Sequence, residues 1–151
     1  MYSAMIGLLF LALAVVHSQS AAVENYVEKI KQAKDVCATE HNVDVEIFKK
    51  LWKEHKIPES EHGCFMMCIM KKVGFFVDGK FDREAVKMSV EQKWVDAADK
   101  EKAHAINEVC IDEVKTDGKD ECHVAHEVVT CFVQESQKRE LAPPGKHESE
   151  E

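Results

Sequence analysis

The stretch Gly63-Cys64-Phe65-Met66-Met67-Cys68-Ile69-Met70-Lys71-Lys72-Val73-Gly74 constrains this chain more than any other. Read as a helix, it places Cys64 and Cys68 one turn apart on a single face, while Phe65, Met66, Met67, Ile69, Met70 and Val73 cover most of the remaining circumference. A helix apolar nearly all round belongs inside a fold. Two thiols one turn apart can tie it to two different neighbours, whereas a Cys64–Cys68 bond would constrain little beyond that turn. The expectation is therefore a disulfide-stapled helical domain with this helix as its central post.

The other cysteines are Cys37, Cys110, Cys122 and Cys131, six in all. The first sixteen residues contain the uncharged apolar run Ile6 to Val16, followed by the small residues Ser18, Ser20, Ala21 and Ala22. Eleven apolar residues are too few to cross ~30 Å of hydrocarbon, so residues 1–18 read as a signal peptide, with cleavage after Ser18 or Ser20. An even cysteine count in an exported chain implies three disulfides, and sequence alone leaves fifteen connectivities open. The formal net charge of -8 argues against nucleic acid or an anionic membrane as partner.

Helical periodicity continues on both sides of the central post. Val23, Tyr26, Val27, Ile30, Ala33 and Cys37 form one stripe. Asp44 caps a second helix with Ile47, Phe48, Leu51, Trp52 and His55 on one face, which stops before Ile57-Pro58. After the central helix, Phe75-Phe76-Val77-Asp78-Gly79-Lys80-Phe81 combines a turn dipeptide with more apolar side chains than a surface loop should carry. Asp82 caps a fourth helix with Val86, Val90 and Trp94 in register. A fifth spans about Asp96 to Val114, and a sixth about Glu121 to Gln137. No stretch alternates convincingly as a strand. Residues 19–140 form one all-α domain, and 141–151, with Pro143, Pro144 and an acidic end, read as a flexible tail.

The gaps between successive cysteines are twenty-six, three, forty-one, eleven and eight residues. This order, after a signal peptide and on six helices, resembles the six-cysteine insect odorant-binding proteins, the pheromone-binding and general odorant-binding family, up to about Glu140. Leu51-Trp52-Lys53-Glu54, Gly63-Cys64, Asp78-Gly79 and Thr130-Cys131-Phe132 look like the moth pheromone-binding members. The resemblance implies a six-helix bundle around an internal hydrophobic cavity, stapled by Cys37–Cys68, Cys64–Cys122 and Cys110–Cys131. It also implies a secreted carrier of small hydrophobic odorants or pheromones. Three crosslinks fit that picture, because each void lowers stability by ~24 cal/mol per Å³ and disulfides offset the loss.

The expected pocket, a few hundred Å³ in volume, is lined by Phe48, Leu51, Trp52, Met66, Ile69, Met70, Val73, Phe75, Phe76, Val90, Trp94, Val109 and Phe132. Trp52, Phe76 and Phe132 look like family positions that face ligand. Where some pheromone binders carry a hydroxyl two residues after the second cysteine of the central helix, this chain has Met70, so that alcohol anchor does not carry over. Their histidine-bearing loop corresponds to Lys80-Phe81-Asp82-Arg83 here. Their apolar C-terminal segment is replaced by Pro143-Pro144 and Glu148, Glu150 and Glu151, which are costly to bury; no cavity-plugging helix is expected from this tail. His41, His55, His62, His104, His123 and His126 could supply a milder pH response.

The partners expected are a small hydrophobic volatile ligand, with an odorant receptor or a second copy of the chain as macromolecular ones. Nucleic acid and stable membrane insertion are not expected. No cofactor and no metal are called for: Cys122, His123, His126 and Cys131 lack zinc spacing, and their thiols should be oxidised. No catalytic residues are assigned, since there is no Gly-x-Ser-x-Gly, no His-Glu-x-x-His, and nothing places Asp35, Asp112 and His104 together. The alternatives are a general lipophile carrier or scavenger in non-olfactory secretions and, further off, a saposin-like lipid-interacting module.

Overall fold

The structure is a computed structural model that describes residues 25–144; the expected signal peptide and the end of the tail lie outside the described residues. Six helices run in order: α1 (Tyr26–His41), α2 (Val45–Lys53), α3 (Gly63–Val73), α4 (Arg83–Lys93), α5 (Ala97–Glu113) and α6 (Glu121–Lys138). Each of α1, α2, α4, α5 and α6 starts from a side-chain cap. Asn25, Asp44, Asp82, Asp96 and Asp120 accept hydrogen bonds from the backbone N–H two or three residues on, which satisfies donors that a helix start leaves orphaned. A single 3-10 turn over Ser60–His62 leads into α3.

α3 is the post about which the others are arranged, packing most extensively against α6 and then α1. Its Phe65, Met66, Met67 and Val73 are buried, while Lys71 and Lys72 reach solvent and pair with Glu121 and Glu40. Gly74 ends the helix at φ 89, and the N–H of Phe75 returns to the Met70 carbonyl at 2.8 Å, the Schellman arrangement.

The sequence leads to no strand, and the structure corrects that expectation. Phe76–Val77 (β1) and Lys80–Phe81 (β2) pair antiparallel. Asp78 and Gly79 both take positive φ, 50 and 77, the geometry whose twist closes a two-residue hairpin. Two-residue strands are too short to show alternation. The hairpin also explains the apolar excess: Phe76 is buried edge-to-face on Phe81 at 5.1 Å, and Phe75 stacks on Tyr26 at 5.9 Å. Val77 alone of the four stays on the surface.

The disulfides are Cys37–Cys68, Cys64–Cys122 and Cys110–Cys131, the interlaced order. They tie α1 to α3, α3 to α6, and α5 to α6, so the central helix is bonded to two neighbours. Among the described residues no helix is long and apolar enough to cross a membrane.

Candidate ligand-binding site

The apolar interior divides into clusters that meet in the middle. One gathers Met66 and Phe76 with Phe65, Met67 and Val124, and has Phe48, Ile69 and Met70 partly buried against it. A second gathers Val90 and Trp94 with Ile106, Val128 and Leu141, and has Phe132 against it. Four side chains from four elements, Met70 of α3, Phe81 of β2, Val114 after α5 and Val129 of α6, pack on both clusters. None of the four is fully buried although each lies between two cores. These four side chains form the seam along which the two clusters meet.

Val73 and Phe75 fall elsewhere than expected. They belong to a third cluster with Tyr26, Ala33 and Ala85, between α1, α3 and α4, because the α3 stripe carried by Ile69 turns toward α1 by its last residue. Leu51 and Val109 are half-buried and belong to none of the three clusters.

At one end of the seam is an apolar recess lined by Trp52, His55, Trp94, Val133, Ser136, Leu141, Ala142 and Pro143. Trp52 comes from α2, a helix with no buried residue; it is 36% exposed at the rim, and its ring stacks on Phe132 at 5.4 Å and 16°. Trp94 lies just beyond α4, where an extended backbone (φ -107, ψ 134) turns its indole inward until 4% of the residue is exposed. α6 ends in a second Schellman turn: Glu140 takes φ 51, and the Leu141 N–H bonds the Ser136 carbonyl at 2.9 Å. That turn throws Leu141 into the second cluster and lays Ala142 and Pro143 across the recess. Trp94 Nε1 donates to the Ala142 carbonyl at 3.0 Å, Lys102 Nζ to that of Glu140 at 3.2 Å, and Gln137 Nε2 to that of His55 at 2.7 Å.

The recess has a cavity volume of about 10 Å³, the space of roughly one water. The expected few hundred Å³ does not stand open at this recess. The physical reason is the C-terminal segment: Leu141 fills the mouth that a flexible tail would have left vacant. Val133, Ser136, His55 and Pro143 are lining residues beyond those the sequence leads one to expect, while Leu141, the one tail residue that the sequence offers for the pocket mouth, lines it too. The only signals for them are the i, i+1, i+4 run Phe132, Val133, Ser136 on α6 and one leucine ahead of a proline pair.

Charge approaches the recess from one side. Lys93 Nζ stands 5.0 Å from the centre of the Trp94 ring. Burial, with Lys34 adding repulsion, lowers the Lys93 pKa from an ordinary 10.5 to about 8. Below about 8 both folded and unfolded chains hold the proton; between about 8 and 10.5 only the unfolded chain does, so stability should rise with pH through that window. Thermal melts at about pH 7.5 and about pH 9.5 check this: the wild type gains, and Lys93→Met shows no comparable gain.

The side chains of the other constellations are engaged with partners of their own. Cys122 and Cys131 are bonded to Cys64 and Cys110, which leaves the rival metal set without thiolates. His123 pairs with Glu127, and His126 Nε2 lies 3.0 Å from the Pro58 carbonyl. A hydrogen bond from Lys119 holds the Glu127 carboxyl below the ordinary carboxylate range. Asp112 pairs with Arg83 and His104 with Glu91.

A model of the PBP/GOBP family matches residues 19–135. Comparison with curated proteins gives no match. Among solved structures, the chain is similar to odorant-binding protein dmelOBP28a from Drosophila melanogaster, with a TM-score of 0.58 and 24% identity over 77% of this chain and 96% of that one. At that identity the likeness speaks for the fold.

Proposed function

The chain belongs to the PBP/GOBP family, and from that premise we propose that it is a secreted, non-enzymatic carrier of small hydrophobic odorants or pheromones. It takes such molecules up in extracellular fluid, shields them from water and delivers them to receptors. The observation that carries this reading is the seam of half-buried apolar side chains, Met70, Phe81, Val114 and Val129, that pack on both core clusters. A lipophile lying there gains ~25 cal/mol per Å² of apolar surface buried, less the cost of its immobilisation, which suits micromolar affinity and broad selectivity. Entry requires Leu141 and the segment after it to give way. The ordering of that segment by a few hydrogen bonds supports an opening of modest cost.

Both tryptophans of the chain, Trp52 and Trp94, line the recess. Uptake of a lipophile should therefore shift and quench tryptophan emission saturably, and volatile alcohols, esters or aldehydes should displace a bound fluorescent lipophile at one site. Trp52→Ala, which removes the stack on Phe132, should weaken uptake by about tenfold, in line with loss of an aromatic contact. Failure of the native, disulfide-intact protein to take up any lipophile at neutral pH would overturn the carrier reading. Turnover of an ester in the same assay would overturn the non-enzymatic one.

A further inference from the structure

Ser136 is 4% exposed, and its Oγ has no hydrogen-bond partner among the described residues. That is unusual for a helical serine, which ordinarily turns its hydroxyl back onto a carbonyl of the preceding turn. Ser89 in α4, 5% exposed, does so, donating to the Val86 carbonyl at 2.7 Å. Ser136 lies on α6 with comparable burial and is one of the residues that line the recess, with its hydroxyl buried just behind the wall. A buried hydroxyl left unpaired is costly, and a native fold keeps one where something else completes it. Thr130 Oγ1 and His62 Nδ1 also lack partners, but neither lines this recess.

The surroundings define what would complete it. Apart from His55 the recess side chains are apolar or indole, none is a lysine or arginine, and the Trp94 N–H is already engaged with Ala142. Lys93 stands over the Trp94 ring but is not among the lining residues, so a charged head in the recess would lose its water without a counter-ion in contact. A space of about 10 Å³ admits a single oxygen-sized group. Val129, Phe132 and Ser136 stand at i, i+3 and i+7 on one face of α6, so the seam and the hydroxyl are joined by a strip about 10 Å long.

We propose that Ser136 is the head-group anchor of this carrier: its hydroxyl hydrogen-bonds the oxygen of a neutral lipophile, an alcohol, a ketone or aldehyde, or an ester, whose tail lies along Phe132 and Val129 toward the seam. A serine hydroxyl both donates and accepts, so it serves carbonyls and alcohols alike. This assignment rests on the carrier reading. It places ligand selectivity on α6 at the C-terminal end of the bundle, whereas α3 offers Met70 and no hydroxyl.

The test uses the disulfide-intact protein with 1-octanol, 2-octanone and octane as competitors of one fluorescent lipophile. Ser136→Ala should weaken 1-octanol and 2-octanone by about three- to tenfold while leaving octane unchanged. Equal loss for all three ligands, or no loss for any, overturns the anchor. A second measurement needs no variant: the carbonyl stretch of 2-octanone bound to the wild type should lie at a hydrogen-bonded frequency, and a hydrocarbon-like frequency overturns the assignment. If the wild type binds none of the three and no probe, the carrier reading fails; if it binds all three and Ser136→Ala does not discriminate, the anchor alone fails.

Discussion

Gly63→Ala is expected to destabilise the protein by about 3 kcal/mol, the upper part of the range for overpacking a core, and to lower its melting temperature by roughly 10 °C. Gly63 opens α3 in ordinary helical geometry (φ -57, ψ -41), so the glycine is not there for its backbone freedom. It is there for space. A Cβ at this position would stand 2.9 Å from the Cys122 carbonyl carbon and closer still to the carbonyl oxygen. The obstacle is backbone, not the end of a side chain that could swing aside. Nor can α3 and α6 separate to make room, because the next residue, Cys64, is bonded to Cys122 itself. Gly74→Ala is the contrast: nothing lies within 4 Å of its Cβ, and its φ of 89 is the whole difficulty, which costs about 1 to 2 kcal/mol. Thermal melts of the two variants rank them. Equal losses, or a smaller loss for Gly63→Ala, would mean that α3 and α6 approach each other less closely than Gly63 and Cys122 imply.

Much of this fold is legible in the residues because each helix announces itself twice. Asp44, Asp82 and Asp96 mark starts, and a stripe such as Ala103, Ile106 and Cys110 marks the buried face of the helix behind its cap. The cysteine spacing, through the resemblance it carries, points to the staple order that the structure contains. The hairpin at Asp78-Gly79 escapes periodicity because two-residue strands have no period to show. Leu141 is legible only as a tail residue that could touch the pocket mouth, and how far it enters is not. Amid Pro143, Pro144 and glutamates the local composition favours solvent, and only the turn at Glu140, set by α6 ending where it does, sends one leucine inward.

The candidate site is less legible than the fold. A side chain facing a ligand and one facing the core are both apolar residues on the same helical stripe, so Val73 and Phe75 read like Met66 and Phe76, yet they pack against Tyr26. Ser136 reads as an interruption of the α6 stripe, and its meaning emerges only once its hydroxyl is seen without a partner. Polar residues on an apolar face are where sequence patterning and function diverge.

Removing the Cys64–Cys122 bridge, as Cys64→Ala with Cys122→Ala, should cost ~4 kcal/mol, and removing Cys110–Cys131 in the same way ~3 kcal/mol, since a crosslink restricts the unfolded chain more when the loop it closes is longer. The separations are 58 and 21 residues. The longer loop contains most of α3, the hairpin, α4 and α5, and its two ends meet where Gly63 touches Cys122. The bridge therefore constrains the unfolded chain and also holds the tightest helix contact closed, and both effects push its removal toward the larger value. Urea unfolding distinguishes the two variants, with the free energy taken from slope and midpoint together. Loss of a long crosslink lets the unfolded chain expand, so the slope should steepen most for the Cys64–Cys122 variant. A greater loss on removing Cys110–Cys131 would instead place the dominant restraint on α5 and α6, beside Trp94 and Leu141 in the second cluster. In that case the end of the bundle that closes the recess, rather than the central post, would govern global stability.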